Sequence, residues 1–229
     1  WNKFLQGYYD ISGIGSDSFD QAVQIGSTGQ AELTEVMRDK QIRLQTSVST
    51  SIFYLGFNML DSVVGGDSDR ARYLRQAISI ALDYEEFISI FRNGRGEIAH
   101  GPLPMGIYGY RDPETDPLGY NDVVYRLENG RLQRRPIEEA KALLEQAGYP
   151  GGIDPGTGKS LILYYDVTAT GPDSTALLNW FRKQFQKIGI DLVIRASDYN
   201  RFQDKMQKGT GQIFSWGWNA DYPDPENFF

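Results

Sequence analysis

Leu161-Ile162-Leu163-Tyr164-Tyr165 is an apolar run of strand length, and the residues after it change period twice before the next such run. From Ser174 to Ile188, the residues Leu177, Leu178, Phe181, Phe185 and Ile188 fall on one side of a 3.6-residue repeat, which predicts a helix. Asp191-Leu192-Val193-Ile194 predicts a second strand, and Tyr199 to Gln207 a helix with Phe202 and Met206 inward. Gln212-Ile213-Phe214-Ser215-Trp216 predicts a third strand. Strands separated by helices of this length argue for an α/β fold, an open mixed and largely parallel sheet flanked by helices. In such sheets ligands bind beyond the carboxyl ends of the strands.

Gly217-Trp218-Asn219-Ala220-Asp221-Tyr222-Pro223-Asp224-Pro225 lies at one of those ends. Proline fixes φ and removes a donor, so the chain must leave the sheet here. Two tryptophans and one carboxylate beside that exit suit a small organic cation. Asp221, held among Trp216, Trp218 and Tyr222, is expected to sit in a lowered dielectric. There a charge-assisted hydrogen bond to an ammonium contributes about 1.5–3 kcal/mol. Trp218 is expected to face a ligand and offer its π-face, at about 0.5–2 kcal/mol per cation–π contact. Trp216 is expected to belong to the core. The same residues also fit an aromatic core strand that ends in an acidic Asp-Tyr-Pro turn.

Upstream of the alternating region the signals are more varied. Trp1 to Gln6 reads as a short helix or turn, Tyr8 to Ile14 as a brief strand, and Glu32 to Met37 as part of a second short helix. Ile42-Arg43-Leu44-Gln45-Thr46-Ser47-Val48 alternates apolar with polar and predicts a strand, and Ser51 to Met59 predicts another. Tyr73, Leu74, Ala77, Ile78, Ala81 and Leu82 form one helical face after a capping Asp67 or Ser68. A further helix carries Phe87, Ile88 and Phe91 and stops at Asn93-Gly94. Residues 95–135, rich in Gly, Pro, Tyr and Asp, are too long for a plain connector. Arg131-Leu132-Gln133-Arg134-Arg135 reads as a solvated approach to a helix that opens at Pro136.

Composition removes several function classes. A net charge of −7 argues against a nucleic-acid partner, because phosphate binding needs a basic face. The absence of cysteine excludes disulfides, thiolate catalysis and Cys-based zinc sites. Asp154-Pro155-Gly156-Thr157-Gly158-Lys159-Ser160 lacks the first glycine of a phosphate loop, and it leads into a strand rather than a helix. His100 is the single histidine and reads as a surface or packing residue. Asp221 and Asp224 invite a glycosidase reading, but Pro223 and Pro225 stiffen the stretch and nothing opposes the two carboxylates. An enzyme is not expected, nor any cofactor or metal. No apolar run reaches the ~18 residues of a membrane span. Trp1 to Gln6 has neither a basic leader nor an apolar h-region, and the chain is expected to be a piece of something longer.

Four ordered blocks carry a family resemblance. Residues Gly217 to Phe228, through Trp218, Asn219, Ala220, Asp221 and Tyr222, resemble a motif of the extracytoplasmic solute-binding proteins of ABC importers, the dipeptide and oligopeptide family. Tyr54-Leu55-Gly56-Phe57-Asn58-Met59, Arg72 to Asp83 and Gly101-Pro102-Leu103-Pro104-Met105-Gly106 resemble three further segments of that family in order and spacing. The resemblance implies one lobe of a two-lobed periplasmic binding protein of the type II, peptide-binding class. Residues 1–57 would be the end of the first lobe with the crossing strands, and residues 58–229 the C-terminal lobe. It implies capture of oligopeptides between two lobes, delivery to ABC permease subunits, a periplasmic or extracytoplasmic location and a monomer. Membrane contact would come only through the permease or a lipid anchor. By the same resemblance, Asp221 receives the α-ammonium of the peptide, beside Trp218, Asn219, Ala220 and Tyr222. The family's dipeptide-specific branch has an arginine in the loop after the Leu161–Tyr165 strand. Here that loop, Asp166 to Pro172, has no base, which favours longer peptides. An oligosaccharide stacked on Trp218 and Tyr222 is the alternative cargo.

Overall fold

The computed structural model describes residues 1–25, 31–168, 171 and 174–229. The chain divides into two units, one of Trp1–Val48 with Tyr84–Ile98, the other of Ser49–Asp83 with Ala99–Phe229. The first begins with α1 (Asn2–Leu5), α2 (Phe19–Ala22), β1 (Val23–Ile25), β2 (Ala31–Leu33) and α3 (Glu35–Asp39). β1 and β2 pair antiparallel, Val23 opposite Leu33. Phe19, Ala22, Val23, Leu33 and Met37 form a small core, with Trp1, Leu5, Ile14, Ile42 and Leu44 packed at its margin.

Two strands expected in this unit do not form. Tyr8 to Ile14 and Ile42 to Val48 are irregular. In the first, Tyr8 and Ile11 are 72% and 88% exposed. In the second, Ile42 and Leu44 pack at the core margin, but among the described residues the segment pairs with no strand. Alternation sets which side chains turn inward; only a partner strand makes the backbone a sheet. Glu32 and Leu33 likewise belong to β2 rather than to the expected helix, which starts at Glu35.

The second unit opens with β3 (Ser51–Phe57) and α4 (Asp69–Ala81). Ser68 caps α4, its hydroxyl accepting from the Ala71 N–H. The next helix, α5 (Tyr84–Arg92), falls in the first unit, and the chain turns after it at Asn93, whose φ is 51°. There Arg95 donates to the Ile14 carbonyl and lies 4.7 Å from the centre of the Phe19 ring.

Back in the second unit come β4 (Tyr125–Glu128) and β5 (Arg131–Arg134), then α6 (Ile137–Gln146). They are followed by the short pair β6 (Ile153–Asp154) and β7 (Lys159–Ser160). β8 (Ile162–Val167), α7 (Ser174–Gln186), β9 (Asp191–Ala196), α8 (Tyr199–Gln207) and β10 (Ile213–Asn219) complete the chain.

The arginine-rich run read as a solvated approach is instead a strand. Asn129 and Gly130, with φ of 52° and 74°, make the tight turn of the β4–β5 hairpin. An Asn-Gly pair is the residue choice that such a turn demands. Arg134 donates to the carbonyls of Ile80 and Leu82 and pairs with Asp83 at 2.7 Å, so it satisfies the orphan acceptors at the end of α4. The Gly-Lys-Ser triplet lies in the turn and second strand of the β6–β7 hairpin.

The main sheet has four strands in the order β3-β10-β8-β9. β8 runs parallel to both β9 and β10, and β3 runs antiparallel to β10. This is the mixed, flanked sheet expected from the alternation. Its inner face carries Leu163, Tyr165, Leu192 and Ile213, all buried, and the Tyr165 ring packs 5.0 Å from Phe181 of α7. α8 packs on the sheet through Phe202, and its Lys205 pairs with the buried carboxylate of Asp166 at 2.6 Å. The β3–β10 pair exchanges rings across the ladder. A Cβ on Gly217 would lie 2.2 Å from Phe53 Cδ1, and one on Gly56 would lie 2.5 Å from Phe214 Cζ. Each glycine is small because an aromatic ring from the other strand covers it.

Candidate functional site

The site begins with what holds β10 in place. Gln212, just ahead of the strand, is buried; its Oε1 accepts from the Tyr164 N–H and its Nε2 donates to the Asp61 carboxylate. Asn58 donates from one nitrogen to the carbonyls of Gly209 and Gly211, at 2.9 and 2.7 Å. Asp61 also accepts from the backbone N–H groups of Val63 and Val64. A buried amide bonded at both its oxygen and its nitrogen fixes register, since any slip would orphan several polar groups at once. The aromatic residues downstream inherit that register.

Trp216 packs edge-on against Phe202 of α8, with ring centres 5.1 Å apart. Trp218, two residues on and 46% exposed, shares the strand face but lies past the cover that Phe202 gives. Asn219 pairs with Ser51 at the last rung of the β10–β3 ladder and is exposed. The Ala220 N–H donates to the Thr50 carbonyl at 2.9 Å and carries the ladder one residue beyond the strand.

The chain then bends through Asp221, Tyr222 and Pro223. Asp224 starts a 3-10 turn, Pro225–Phe228, by accepting from the Glu226 N–H at 3.0 Å, and Pro225 supplies a preset φ at its first position. That turn brings Asn227 back to the strand end. Its Oδ1 accepts from the Trp218 indole N–H at 2.7 Å and from the Asp221 backbone N–H at 3.0 Å. The Tyr222 hydroxyl donates to Glu226 Oε1 at 2.9 Å, and that bond to a carboxylate holds its pKa above the ordinary tyrosine value.

The residues singled out in the sequence are therefore neighbours. Asp221 is exposed, and among the described residues its carboxylate has no hydrogen-bond or ion-pair partner. The lowered dielectric expected around it is not supplied by the described residues: Asp221 is exposed, and Trp218 and Tyr222 are themselves 46% and 48% exposed. Asp224, the second carboxylate of the glycosidase reading, is committed to capping the turn. His100 accepts from the Asn121 N–H and packs against the Tyr125 ring at 4.9 Å. Of the base-free loop, Asp166 and Val167 belong to β8, while Ala169, Thr170 and Pro172 lie outside the described residues.

Sequence reasoning missed Asn227. The Asp-Pro-Glu order of residues 224–226 is a helix-start pattern and was the available signal. Nothing local says which residue of the turn meets the strand. Tyr54 was also missed; 45% exposed and directly opposite Trp216, it extends the aromatic face of β10 onto β3, and only the register places it there, whereas Phe53 lies on the other face over Gly217.

Over residues 3–229 the chain matches the family described as "Bacterial extracellular solute-binding proteins, family 5 Middle", and it belongs to that family. It is similar to heme-binding protein A of Haemophilus influenzae, 24% identical over 202 residues that make up 86% of this chain and 32% of that protein. It is also similar to the dipeptide-binding protein of Escherichia coli, 24% identical over 203 residues, 87% of this chain and 32% of that one. In three dimensions it resembles the dipeptide binding protein of a Pseudoalteromonas species in complex with Met-Leu, with a TM-score of 0.67 at 21% identity. That match covers 100% of this chain and 38% of the other. The chain thus spans about a third of the length of the curated relatives it matches. The relatives carry the names of binding proteins, and the fold is that of periplasmic peptide-binding proteins.

Proposed function

We propose that this chain is part of the capture component of a bacterial ABC importer, binding peptides and handing them to a membrane permease. Asp221 receives the peptide's α-ammonium. The observation that carries this reading is the Asp221 carboxylate, exposed at the exit of β10 and without a partner among the described residues, with its backbone tied down beside Trp218. An exposed carboxylate whose position is already fixed loses little freedom when a cation docks on it. Trp218 and Tyr222 add apolar wall and π-face, while Asn219 and Ala220 supply neighbouring main-chain and amide groups. Main-chain and terminal recognition tolerates many side chains, which suits a transporter of mixed peptides.

Residues 58–229 act as the C-terminal lobe in this reading, and residues 1–57 as the end of the first lobe with its crossing segment. Closure of two lobes on the peptide supplies the lowered dielectric that this chain does not give Asp221 by itself, and the permease senses that closure. The protein works as a monomer on the extracytoplasmic side of the membrane. The lack of a base between Asp166 and Pro172 favours peptides longer than two residues.

Isothermal titration of the full-length protein with tri-alanine tests the reading. Asp221→Asn keeps the shape and removes the charge, and it is expected to weaken binding roughly 10- to 100-fold while the thermal midpoint stays put. Wild-type affinity in that variant, or equal affinity for N-acetylated tri-alanine, removes the ammonium assignment. A thermal shift with an oligosaccharide but with no peptide would favour the alternative cargo, stacked on the exposed faces of Trp218 and Tyr222.

A further inference from the structure

We propose that Asn227 is the positioning residue of this site, its side-chain carbonyl holding the Trp218 indole and the Asp221 backbone in the arrangement that receives the ammonium. The proposal rests on the reading of Asp221 given above. Two N–H donors, Trp218 Nε1 at 2.7 Å and Asp221 N at 3.0 Å, converge on one side-chain atom of Asn227. Only the carbonyl oxygen of an amide can accept both, so the orientation of the side chain follows from its partners. Both lone pairs of that oxygen are thereby used.

Asn227 is itself anchored. Its backbone N–H donates to the Asp224 carbonyl at 3.1 Å, inside the 3-10 turn that Asp224 caps and Pro225 stiffens. The loop from Trp218 to Asn227 is thus closed at its base by one atom, and the Tyr222–Glu226 bond closes it a second time. Asp221 and Trp218 are both exposed, so no core packing fixes their directions. With the Asn227 bonds gone, the carboxylate would populate its binding arrangement only part of the time. Apparent affinity would fall by that fraction, roughly 5- to 20-fold. Asn227 needs no contact with the ligand to do this.

The experiment is a double-mutant cycle on the full-length protein with tri-alanine as titrant. Asn227→Leu keeps the size and removes the acceptor. It is expected to weaken binding roughly 5- to 20-fold in the wild-type background and less than about twofold in Asp221→Asn, where no carboxylate remains to be positioned. Asn227→Asp, which keeps an acceptor for both N–H groups, is expected to bind within about threefold of wild type. The indole 1H–15N resonance of Trp218, assigned by its loss in Trp218→Phe, should move in Asn227→Leu and stay near its place in Asn227→Asp, with or without peptide. Should Asn227→Leu not fold, Asn227→Ser, too short to reach both donors, takes its place.

Wild-type binding by Asn227→Leu, an unmoved indole resonance, or an equal cost in both backgrounds overturns the proposal while the Asp221 reading stands. Wild-type binding by Asp221→Asn overturns both, and it is visible in that variant alone.

Discussion

The stretch from β8 to β10 and the first 48 residues carry similar apolar patterns and reach different outcomes. In β8 the buried Leu163 and Tyr165 alternate with the more exposed Ile162 and Tyr164. Ile42, Leu44 and Val48 alternate in the same way and form no strand, and Val48 is 68% exposed. What differs is supply. β8 has a parallel strand on each side and α7 on its inner face, whereas Ile42 to Val48 packs at the margin of a five-residue core and, among the described residues, pairs with no strand. A period-two pattern is permission to form a strand, and a neighbour with free N–H and C=O groups is the requirement.

The contrast should be sharpest where the core is deepest. Phe185 on α7 is 1% exposed, and Phe185→Ala should cost about 3–5 kcal/mol in urea unfolding through lost burial and a residual cavity. A cost below about 1 kcal/mol would mean that α7 and the sheet contribute no more than the N-terminal segment does.

A smaller effect is expected on alkaline titration. Burial pushes the Tyr165 hydroxyl up to about 12 from 10.0, against a hydrogen bond with Ser215 that lowers it. Above pH 10 the unfolded chain ionises this tyrosine and the folded chain does not, so the unfolded state gains. The stability tied to Tyr165 is whole below pH 10 and falls by about 2–3 kcal/mol as the pH rises to about 12. Tyr165→Phe should flatten that part of the stability–pH curve. An unchanged slope would place the titration elsewhere.

The smallest effect belongs to the other side of the comparison. Ile11, at 88% exposure, should be replaceable by Ala within about 0.5 kcal/mol. A loss of several kcal/mol there would mean that the segment from Tyr8 to Ile14 is structured by contacts outside those described.

The site divides along the same line. Asp221, Trp218 and Tyr222 were legible because a strand of this composition must end where Pro223 stands, and because the surrounding motif resembles a known family. Trp216 and Trp218 share a strand face, and only the reach of Phe202 on α8 assigns one to packing and leaves the other in solvent. The low dielectric expected at Asp221 does not form for a related reason: apolar neighbours in sequence lower the dielectric only when they are packed around the carboxylate, and here Asp221, Trp218 and Tyr222 are all exposed. Arg134 is a third instance. In the sequence it is one of a run of arginines; in the fold it ends a hairpin and closes the last carbonyls of α4.

By itself, the sequence determined the strand–helix alternation of residues 161–219, the mixed sheet, the point at which the chain leaves it, and the acidic residue found there. Those are local facts, written in apolar period, proline and glycine. The tertiary structure decided which alternating segments became strands, that Phe53 and Phe214 would cover the glycines of each other's strand, and that Asn227 would return to Trp218 and Asp221. Each depends on a partner supplied by another part of the chain, and a hydrogen bond or a ring contact is specified only when both of its members are in place.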